Sequence, residues 1–384
     1  MSAIRKITVL GSGVMGHGIA QVASMAGYTV ALRDVEDSFL QNAMSKIKWS
    51  LSKLVEKQKI SQVDADKIYD RITPFVDLKE ALKDSDILIE AVPEDLQLKK
   101  KVYAEVDSYS DKDTVYASNT STLPISEMAS LTRRPQHFIG LHFFNPPQLM
   151  SLVEVIPGQM TDRRTIDLAL DLIKRIGKEP ILCRKDVVGF IVNRVFIPLV
   201  HEAAYSLQRD GATMTQIDSA VKFKMDFPMG IFELADYTGL DVIHKASKEM
   251  LLRDKKVINP HPMIEQLFTE KKLGQKSGKG FYEYSKDKYE RVRLSEAEAE
   301  KYDPISLVAT SANNAAWLIS NGVCNKEDLE KALKLGMGLK KELFQLVEEF
   351  GVERVVSVLR NMADKYGEFY EPDNLLAEMS SKQK

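Results

Sequence analysis

The sequence has few of the features that mark secreted, membrane or nucleic-acid-binding proteins. Its two cysteines, Cys183 and Cys324, lie far apart, so we expect neither a disulfide framework nor a thiolate zinc site, and we assign no metal. A reducing, cytoplasmic location fits this composition. The longest apolar stretch, residues 189–200, is interrupted by Asn193 and Arg194, so no membrane span is expected. The formal net charge of -2 leaves no basic excess for binding nucleic acid.

The first half of the chain has the pattern of an α/β protein. A short β-branched strand at residues 4–10 runs into a glycine-rich turn and a helix, and a second strand follows at 29–32. Further buried-strand runs predict a doubly wound, Rossmann-type parallel sheet over residues 1–185. The segment 177–189, with Pro180 and several charges, is expected to form the crossing into a second domain.

The second half has helical spacing and an internal repeat. Adding 112 to a position in the first copy gives its counterpart in the second, as in Phe232 and Phe344 or Gly239 and Gly351. We therefore predict an all-helical C-terminal domain present as two repeats, 186–290 and 291–384. The copies differ at residues 228–230, where PMG becomes KKE. This difference indicates that the second copy is scaffolding.

The glycine-rich turn GSGVMG predicts a dinucleotide site. It follows a strand and opens a helix, and an acidic residue, Asp34, stands at the end of the second strand. In such a turn the first glycine permits the sharp bend, the second lets the pyrophosphate approach, and the third brings the helix against the sheet. Asp34 would bind the ribose hydroxyls and repel a 2′-phosphate, which favours NAD over NADP. The predicted residues of the turn are Gly11, Gly13, Val14, Met15 and Gly16.

A histidine and a glutamate form the candidate acid–base pair. His142 stands near the end of the apolar run FIGLHFF, and Glu154 lies inside the run SLVEVI. If these runs pair antiparallel about Gln148, the two side chains face one another. The carboxylate would orient the imidazole and stabilise its protonated form, and a histidine is suited to take a hydroxyl proton. A purely structural pair remains an alternative at this point.

Polar residues at other strand and helix ends are weaker candidates. The segment SNTST ends a strand, so Asn119 and Ser121 can reach the same sheet edge, although such residues are common in turns. Asn193 interrupts an apolar helix and needs a polar partner, which substrate or a helix interface would equally supply.

Taken together, these motifs resemble the L-3-hydroxyacyl-CoA dehydrogenases of β-oxidation and related fatty acid metabolism, among them 3-hydroxybutyryl-CoA dehydrogenases. The resemblance covers residues 4 to about 285, through GSGVMGHGIA, EAVPEDLQLK, SNTSTL, GLHFFNPP, LVEVI, DVVGFIVNR and GKGFYEY. It implies NAD-dependent, reversible oxidation of (S)-3-hydroxyacyl-CoA to 3-oxoacyl-CoA. The residues carried over are His142 as base, Glu154 as its partner, Ser121 and Asn193 at the substrate, Asp34, Glu94 and Lys99 at the cofactor, and Ser50, Lys57 and, less directly, Lys53 at coenzyme A.

Two other functions stay open on the sequence alone. One is a dehydrogenase of free hydroxy acids or sugar acids on the same plan, and the other is a non-catalytic NAD-binding protein. The added helical copy after residue 300 departs from relatives that have one helical unit and pair it with a second subunit. It implies that the chain is a monomer, or a homodimer in which the second copy replaces the usual contact.

Overall fold

The computed structural model describes residues 4–254, 256–285 and 290–381. The chain divides after Asp186 into two compact units. The first contains the whole sheet, and the second is helical and contains both predicted repeats. Within the described residues, no helix is both long and apolar enough to cross a membrane.

The first unit is built on an eight-stranded sheet of order β3-β2-β1-β4-β5-β6-β7-β8. The six strands on the β3 side run parallel, and β7 pairs antiparallel with β6 before β8 continues parallel to β7. This confirms the predicted doubly wound sheet. The strands are β1 (Lys6–Leu10), β2 (Thr29–Arg33), β3 (Ile72–Phe75), β4 (Ile87–Glu90), β5 (Val115–Ser118), β6 (Phe138–Phe143), β7 (Leu152–Pro157) and β8 (Glu179–Leu182).

The segment 177–189 contains the boundary between the two units, but it also contains a strand that the sequence did not predict. Glu179–Leu182 form β8, an edge strand paired with β7, and Val153 lies opposite Pro180. Proline has no N–H for the ladder, so it is tolerated at a sheet edge. The other edge strand, β3, also contains a proline, Pro74. The strand was not predicted, because it contains a proline, is flanked by charged residues and has only two consecutive apolar residues, Ile181 and Leu182.

Helices cover the sheet because their apolar residues recur at helical spacing. The longest, α2, buries Leu40, Ile47 and Leu51 and leaves its other face exposed. The helices of this unit are α1 (Val14–Met25), α2 (Asp37–Glu56), α3 (Gln62–Asp70), α4 (Leu78–Leu82), α5 (Leu96–Tyr109), α6 (Ile125–Ala129) and α7 (Arg163–Arg175).

The second unit shows the internal repeat as matched helices. Ile231 and Leu343 begin corresponding helices 112 residues apart, and so do Leu240 and Val352. The glycine before the second pair, Gly239 or Gly351, has positive φ in both copies. Its helices are α8 (Val192–Arg209), α9 (Met214–Lys224), α10 (Ile231–Thr238), α11 (Leu240–Arg253), α12 (Pro262–Thr269), α13 (Glu296–Ala299), α14 (Ile305–Ser320), α15 (Lys326–Met337), α16 (Leu343–Phe350), α17 (Val352–Tyr366) and α18 (Asn374–Ser381).

Each copy caps a helix with a buried carboxylate, but with side chains of different length. Asp218 accepts from the backbone N–H groups of Phe232 and Glu233 at the start of α10. Glu330, its counterpart, does the same for α16. A Cβ on Gly230 would lie 2.1 Å from the Asp218 carboxyl carbon, whereas the second copy has Glu342 there. The shorter acid, aspartate, therefore occurs in the copy that has glycine at this position, and the longer acid, glutamate, occurs in the copy that has a glutamate there.

Candidate active site

The three glycines of the turn face different amounts of space. A Cβ on Gly11, where φ is +90°, would lie 2.5 Å from the Ala91 carbonyl oxygen, and one on Gly16 would lie 1.7 Å from the Gly11 carbonyl oxygen. A Cβ on Gly13 would meet nothing within 4 Å. Gly13 is also the N-cap of α1, and no side chain caps that helix end. The turn thus leaves room and backbone N–H groups for an anion.

Asp34 stands beside this turn at the end of β2. Its Oδ2 accepts from the Ser12 backbone N–H at 2.7 Å and the Ser12 hydroxyl at 2.6 Å, while Oδ1 accepts from Val35 N–H. Ser12, which sequence reasoning did not single out, therefore ties the acidic residue to the glycine turn. Open space at Gly13 and an anchored carboxylate at Asp34 together fit a dinucleotide.

His142 and Glu154 lie opposite each other in the β6–β7 ladder, as predicted. The His142 Nδ1 and Glu154 Oε2 atoms are 2.6 Å apart. Glu154 is fully buried and the His142 side chain is 9% exposed. A carboxylate at Nδ1 holds the proton of the neutral ring there, which leaves the lone pair on Nε2. This geometry is one that a general base with a buried orienting group requires.

Lys99 and Glu94 belong to a buried cluster of charged residues. The sequence predicted these two members but not the third, Glu90. Lys99 Nζ lies 2.8 Å from Glu90 and 3.1 Å from Glu94. Glu90 also accepts from Tyr103 and Ser118. Burial opposes the charge on Lys99, but the two carboxylates outweigh it and raise the pKa of Lys99 above its ordinary value. Glu90 was missed because an acidic residue ending an apolar run gives no sign of its partner.

Glu94 also fixes the loop that carries Ser121. Its Oε1 accepts from the Thr120 hydroxyl, from the Ser121 N–H at 3.0 Å and from the Thr122 N–H at 3.3 Å. Burial raises the pKa of Glu94, but Lys99 and these donors lower it below its ordinary value overall. Glu94 thus acts as an ionised anchor for this loop.

Asn119 connects the same loop with the histidine strand. Its Oδ1 accepts from the backbone N–H of Phe143 at 2.9 Å, one residue beyond His142. Asn119 and Ser121 therefore follow the carboxyl end of β5, and His142 is the last residue but one of β6. This is the edge at which open parallel sheets bind ligands.

The remaining predicted residues belong to two helices, α2 and α8. Ser50 and Lys53 are in the last part of α2, and Lys57 is its C-cap. Lys53 pairs with Glu56 at 2.7 Å. Asn193 is the second residue of α8, in the helical unit.

The turn between β6 and β7 rests on the helix of the glycine motif. A Cβ on Gly18 would lie 2.9 Å from Pro147 and from the Gln148 side chain, and Gln148 donates to Gln21 at 3.3 Å. The sequence did not identify Gly18, because the requirement for glycine at this position comes from Pro147 and Gln148, which are far away in the sequence and pack against the helix only in the folded protein.

A doubly wound sheet, a glycine turn and an acidic residue after β2 define a dinucleotide-binding protein. A buried histidine–glutamate pair lies in the same sheet. The model of the 3-hydroxyacyl-CoA dehydrogenase NAD binding domain matches residues 6–187. The model of the 3-hydroxyacyl-CoA dehydrogenase C-terminal domain matches residues 189–284 and 306–384. The chain belongs to the 3-hydroxyacyl-CoA dehydrogenase family, and it is an NAD-dependent oxidoreductase that oxidises hydroxyacyl-CoA.

Similar proteins support this assignment along most or all of the chain. Mitochondrial hydroxyacyl-coenzyme A dehydrogenase of Rattus norvegicus is 38% identical over 293 residues, which cover 73% of this chain and 91% of the relative. 3-Hydroxybutyryl-CoA dehydrogenase of Clostridioides difficile is 38% identical over 284 residues, 73% of this chain and 100% of the relative. The crystal structure of 3-hydroxybutyryl-CoA dehydrogenase from Escherichia coli K12 has a TM-score of 0.86 at 26% identity and covers 99% of this chain and 98% of its own.

Proposed function

We propose that His142 is the general base that takes the hydroxyl proton of an (S)-3-hydroxyacyl-CoA, with Glu154 as its partner. The observation that carries this is the 2.6 Å contact between His142 Nδ1 and a fully buried Glu154. The carboxylate fixes the ring and stabilises the imidazolium that forms when Nε2 accepts the proton. NAD, when bound, supplies the hydride acceptor. In the reverse direction His142 returns the proton to the oxygen.

Ser121 and Asn193 are proposed to hold the substrate oxygens. Ser121 is supported by its place after β5, in a loop fixed by Glu94. Asn193 is supported by the resemblance and by its position near the start of α8. Asn119 would keep the Ser121 loop and the His142 strand in register through its bond to Phe143.

The NAD site is proposed to comprise the glycine turn, Asp34, Glu94 and Asn119, with Lys99 acting on Glu94. Val14 and Met15 open α1 at this turn. Asp34 would exclude a 2′-phosphate by repulsion, because its carboxylate is already anchored beside the turn. The ratio of kcat/KM for NADH and NADPH tests this selectivity, and a clear preference for NADPH would contradict it.

The coenzyme A part is proposed to lie along the end of α2, at Ser50, Lys53 and Lys57. The two residues whose roles come most directly from the family resemblance, Ser50 and Lys57, are seven apart and so share a helix face. A cytoplasmic location is also proposed, since the chain has only two cysteines and they lie far apart in the sequence. Fractionation of cells would test that location.

The decisive experiment compares acetoacetyl-CoA with free acetoacetate, using NADH, in the wild type and in His142→Gln. We expect turnover of the thioester and little of the free acid. Loss of a general base lowers the rate by about 10²–10⁴-fold, while the Kd for NADH should stay close to that of the wild type. Near-normal turnover by His142→Gln would refute the role of His142, and preference for the free acid would refute the substrate class.

A further inference from the structure

One large aromatic side chain on α2 is unusually exposed. Trp49 is 65% exposed and is one of two tryptophans in the chain, the other being Trp317. Leaving an indole ring in water is unfavourable in comparison with burying it. A ring presented in this way is suited to a flat ligand that would cover it.

The residues around Trp49 form a continuous polar helix face. At 100° per residue, six side chains between residues 42 and 57 fall within about 100° of the helix circumference. We call them the Trp49 face: Asn42, Lys46, Trp49, Ser50, Lys53 and Lys57. Trp49 is its only apolar member. Phe39, which is 47% exposed, lies on the same side of α2 but ten residues earlier, about 15 Å along the axis. The apolar area at Trp49 is therefore that of a single ring.

The charge around this face is positive, although the chain as a whole is not. Residues 46–59 contain five lysines and one glutamate, against a formal net charge of -2 for the chain. Lys53 Nζ lies 6.0 Å from the Trp49 ring centroid, and Glu56, 2.7 Å from that ammonium, is the one acidic neighbour in the segment. Lys46 and Lys57 are both exposed.

An aromatic ring flanked by lysines recognises a nucleotide. Purine bases stack on aromatic side chains, and lysines bind the phosphates. The same features occur on helices that lie on anionic membranes, but those have a broad apolar face directed at the lipid. The apolar face of α2 is already buried in the sheet unit, so a nucleotide is the better fit.

We propose that Trp49 stacks on the adenine ring of the acyl-CoA substrate, with Lys46, Lys53 and Lys57 at its phosphates. This rests on the proposed function, because it extends the coenzyme A contacts proposed for Ser50 and Lys57. It assigns to this chain a specificity residue for the nucleotide end of the substrate, remote from the reacting carbon.

Fluorescence tests the stacking directly, because Trp317→Phe leaves Trp49 as the sole tryptophan. With NAD at saturation, so that the dinucleotide site is filled, CoA and adenosine 3′,5′-bisphosphate should quench Trp49, and pantetheine should not. Trp49→Phe, which keeps only Trp317, should show no quenching by the bisphosphate. Absence of quenching in Trp317→Phe, or quenching only by anionic lipid vesicles, would overturn the proposal.

Kinetics test the consequence for the substrate. Trp49→Ala should raise KM for acetoacetyl-CoA about tenfold, as expected for the loss of one base–aromatic stack, with kcat unchanged. KM for acetoacetyl-N-acetylcysteamine, which has no nucleotide, should not change. Trp49→Tyr should restore the lower KM, and Val63→Ala, at a residue that is 61% exposed on α3, is the matched control.

The results separate this inference from the proposed function. Equal effects of Trp49→Ala on both thioesters, or no effect on either, would overturn the stacking role while wild-type turnover upheld the function. A wild type that reduces neither thioester would refute the function, and the quenching titration would then decide by itself whether Trp49 binds the nucleotide.

Discussion

At the residue scale, the glycine turn combines two different requirements within six residues. Gly16 is needed for folding, because its helix touches the Gly11 carbonyl, whereas Gly13 faces open space. Its φ of -61° is one that any residue can adopt. Two glycines of one motif should therefore respond differently to the same added methyl group.

We predict that Gly13→Ala unfolds at the same temperature as the wild type but binds NADH at least tenfold more weakly, because the Cβ occupies the approach of the pyrophosphate. Gly16→Ala should be destabilised by about 1–3 kcal/mol or more, as overpacked sites are. Thermal unfolding followed by circular dichroism and NADH titration measure the two effects. Equal loss of stability in both variants would contradict the assignment.

At the scale of elements, the Glu90 carboxylate joins β4 to α5 and β5. It accepts hydrogen bonds from Lys99 and Tyr103 of α5 and from Ser118 of β5. Glu90→Gln should lower the free energy of unfolding by about 3–5 kcal/mol, because it removes the nearer carboxylate from a buried lysine. Urea denaturation measures the loss. The double variant Glu90→Gln/Lys99→Met should recover part of it, since no buried ammonium remains. Glu80→Gln, at an exposed position on α4, is the control, and an equal loss there would contradict the explanation.

A second prediction at this scale concerns acid stability in the helical unit. Burial, with His261 and His244 adding to it, lowers the pKa of His201 to about 3. Its Nδ1 accepts from the His261 N–H, and its Nε2 lies 2.6 Å from the Ser247 hydroxyl. An unfolded histidine titrates near pH 6.5. Between about pH 6.5 and 3 the unfolded state therefore binds more protons, so stability falls as the pH falls.

The slope of stability against pH isolates this histidine. One such group contributes up to about 1.4 kcal/mol per pH unit, so His201→Gln should show a shallower decline than the wild type between pH 6.5 and 4. Urea denaturation at several pH values measures both slopes. Asp218, whose pKa is raised by burial to about 7, acts in the opposite direction but is present in both proteins. Parallel slopes would contradict the prediction.

At the scale of the whole molecule, the second helical copy covers the first. Tyr370 donates to the buried Glu202 of α8 at 2.6 Å, and the guanidinium of Arg209, the last residue of α8, lies 4.6 Å from the Tyr366 ring centroid. On the same helix, the guanidinium of Arg194 lies 4.2 Å from the Trp317 ring centroid. α8 is thus held by residues of its own chain.

We predict that α8 takes no part in an interface between copies of this chain. Light scattering should give a monomer near 43.3 kDa, or a dimer in which hydrogen exchange of α8 is independent of protein concentration. Protection of α8 that increases with dimerisation would contradict the idea that the second copy replaces the usual subunit contact. Protection confined to surfaces outside α8 would agree with it.

The parts of this architecture that could be predicted from sequence are those set by local spacing. The facing of His142 and Glu154 follows from two apolar runs whose residues are equidistant from Gln148, because antiparallel pairing about that residue places the two opposite each other. The correspondence between the helices that begin at Ile231 and Leu343 follows from the 112-residue repeat. Both predictions need only the spacing of residues along the chain and no knowledge of tertiary contacts.

What could not be predicted depends on partners that tertiary packing selects. Nothing in the sequence around Glu90 indicates that Lys99, Tyr103 and Ser118 would converge on it. β8 was missed because its proline is acceptable only at an edge, and the edge is defined by the rest of the sheet. The catalytic and binding roles of the site residues remain predictions for the experiments above.

The capping carboxylate is an aspartate in the first helical copy and a glutamate in the second, and this difference restricts how the copies can diverge. In the first copy a side chain at position 230 would collide with Asp218, and the second copy has Glu342 opposite the longer Glu330. Gene conversion that transferred glutamate into position 230 of the first copy, and left Asp218 unchanged, would create a clash with the capping carboxylate. Divergence at position 230 of the first copy therefore requires a compensating change at position 218.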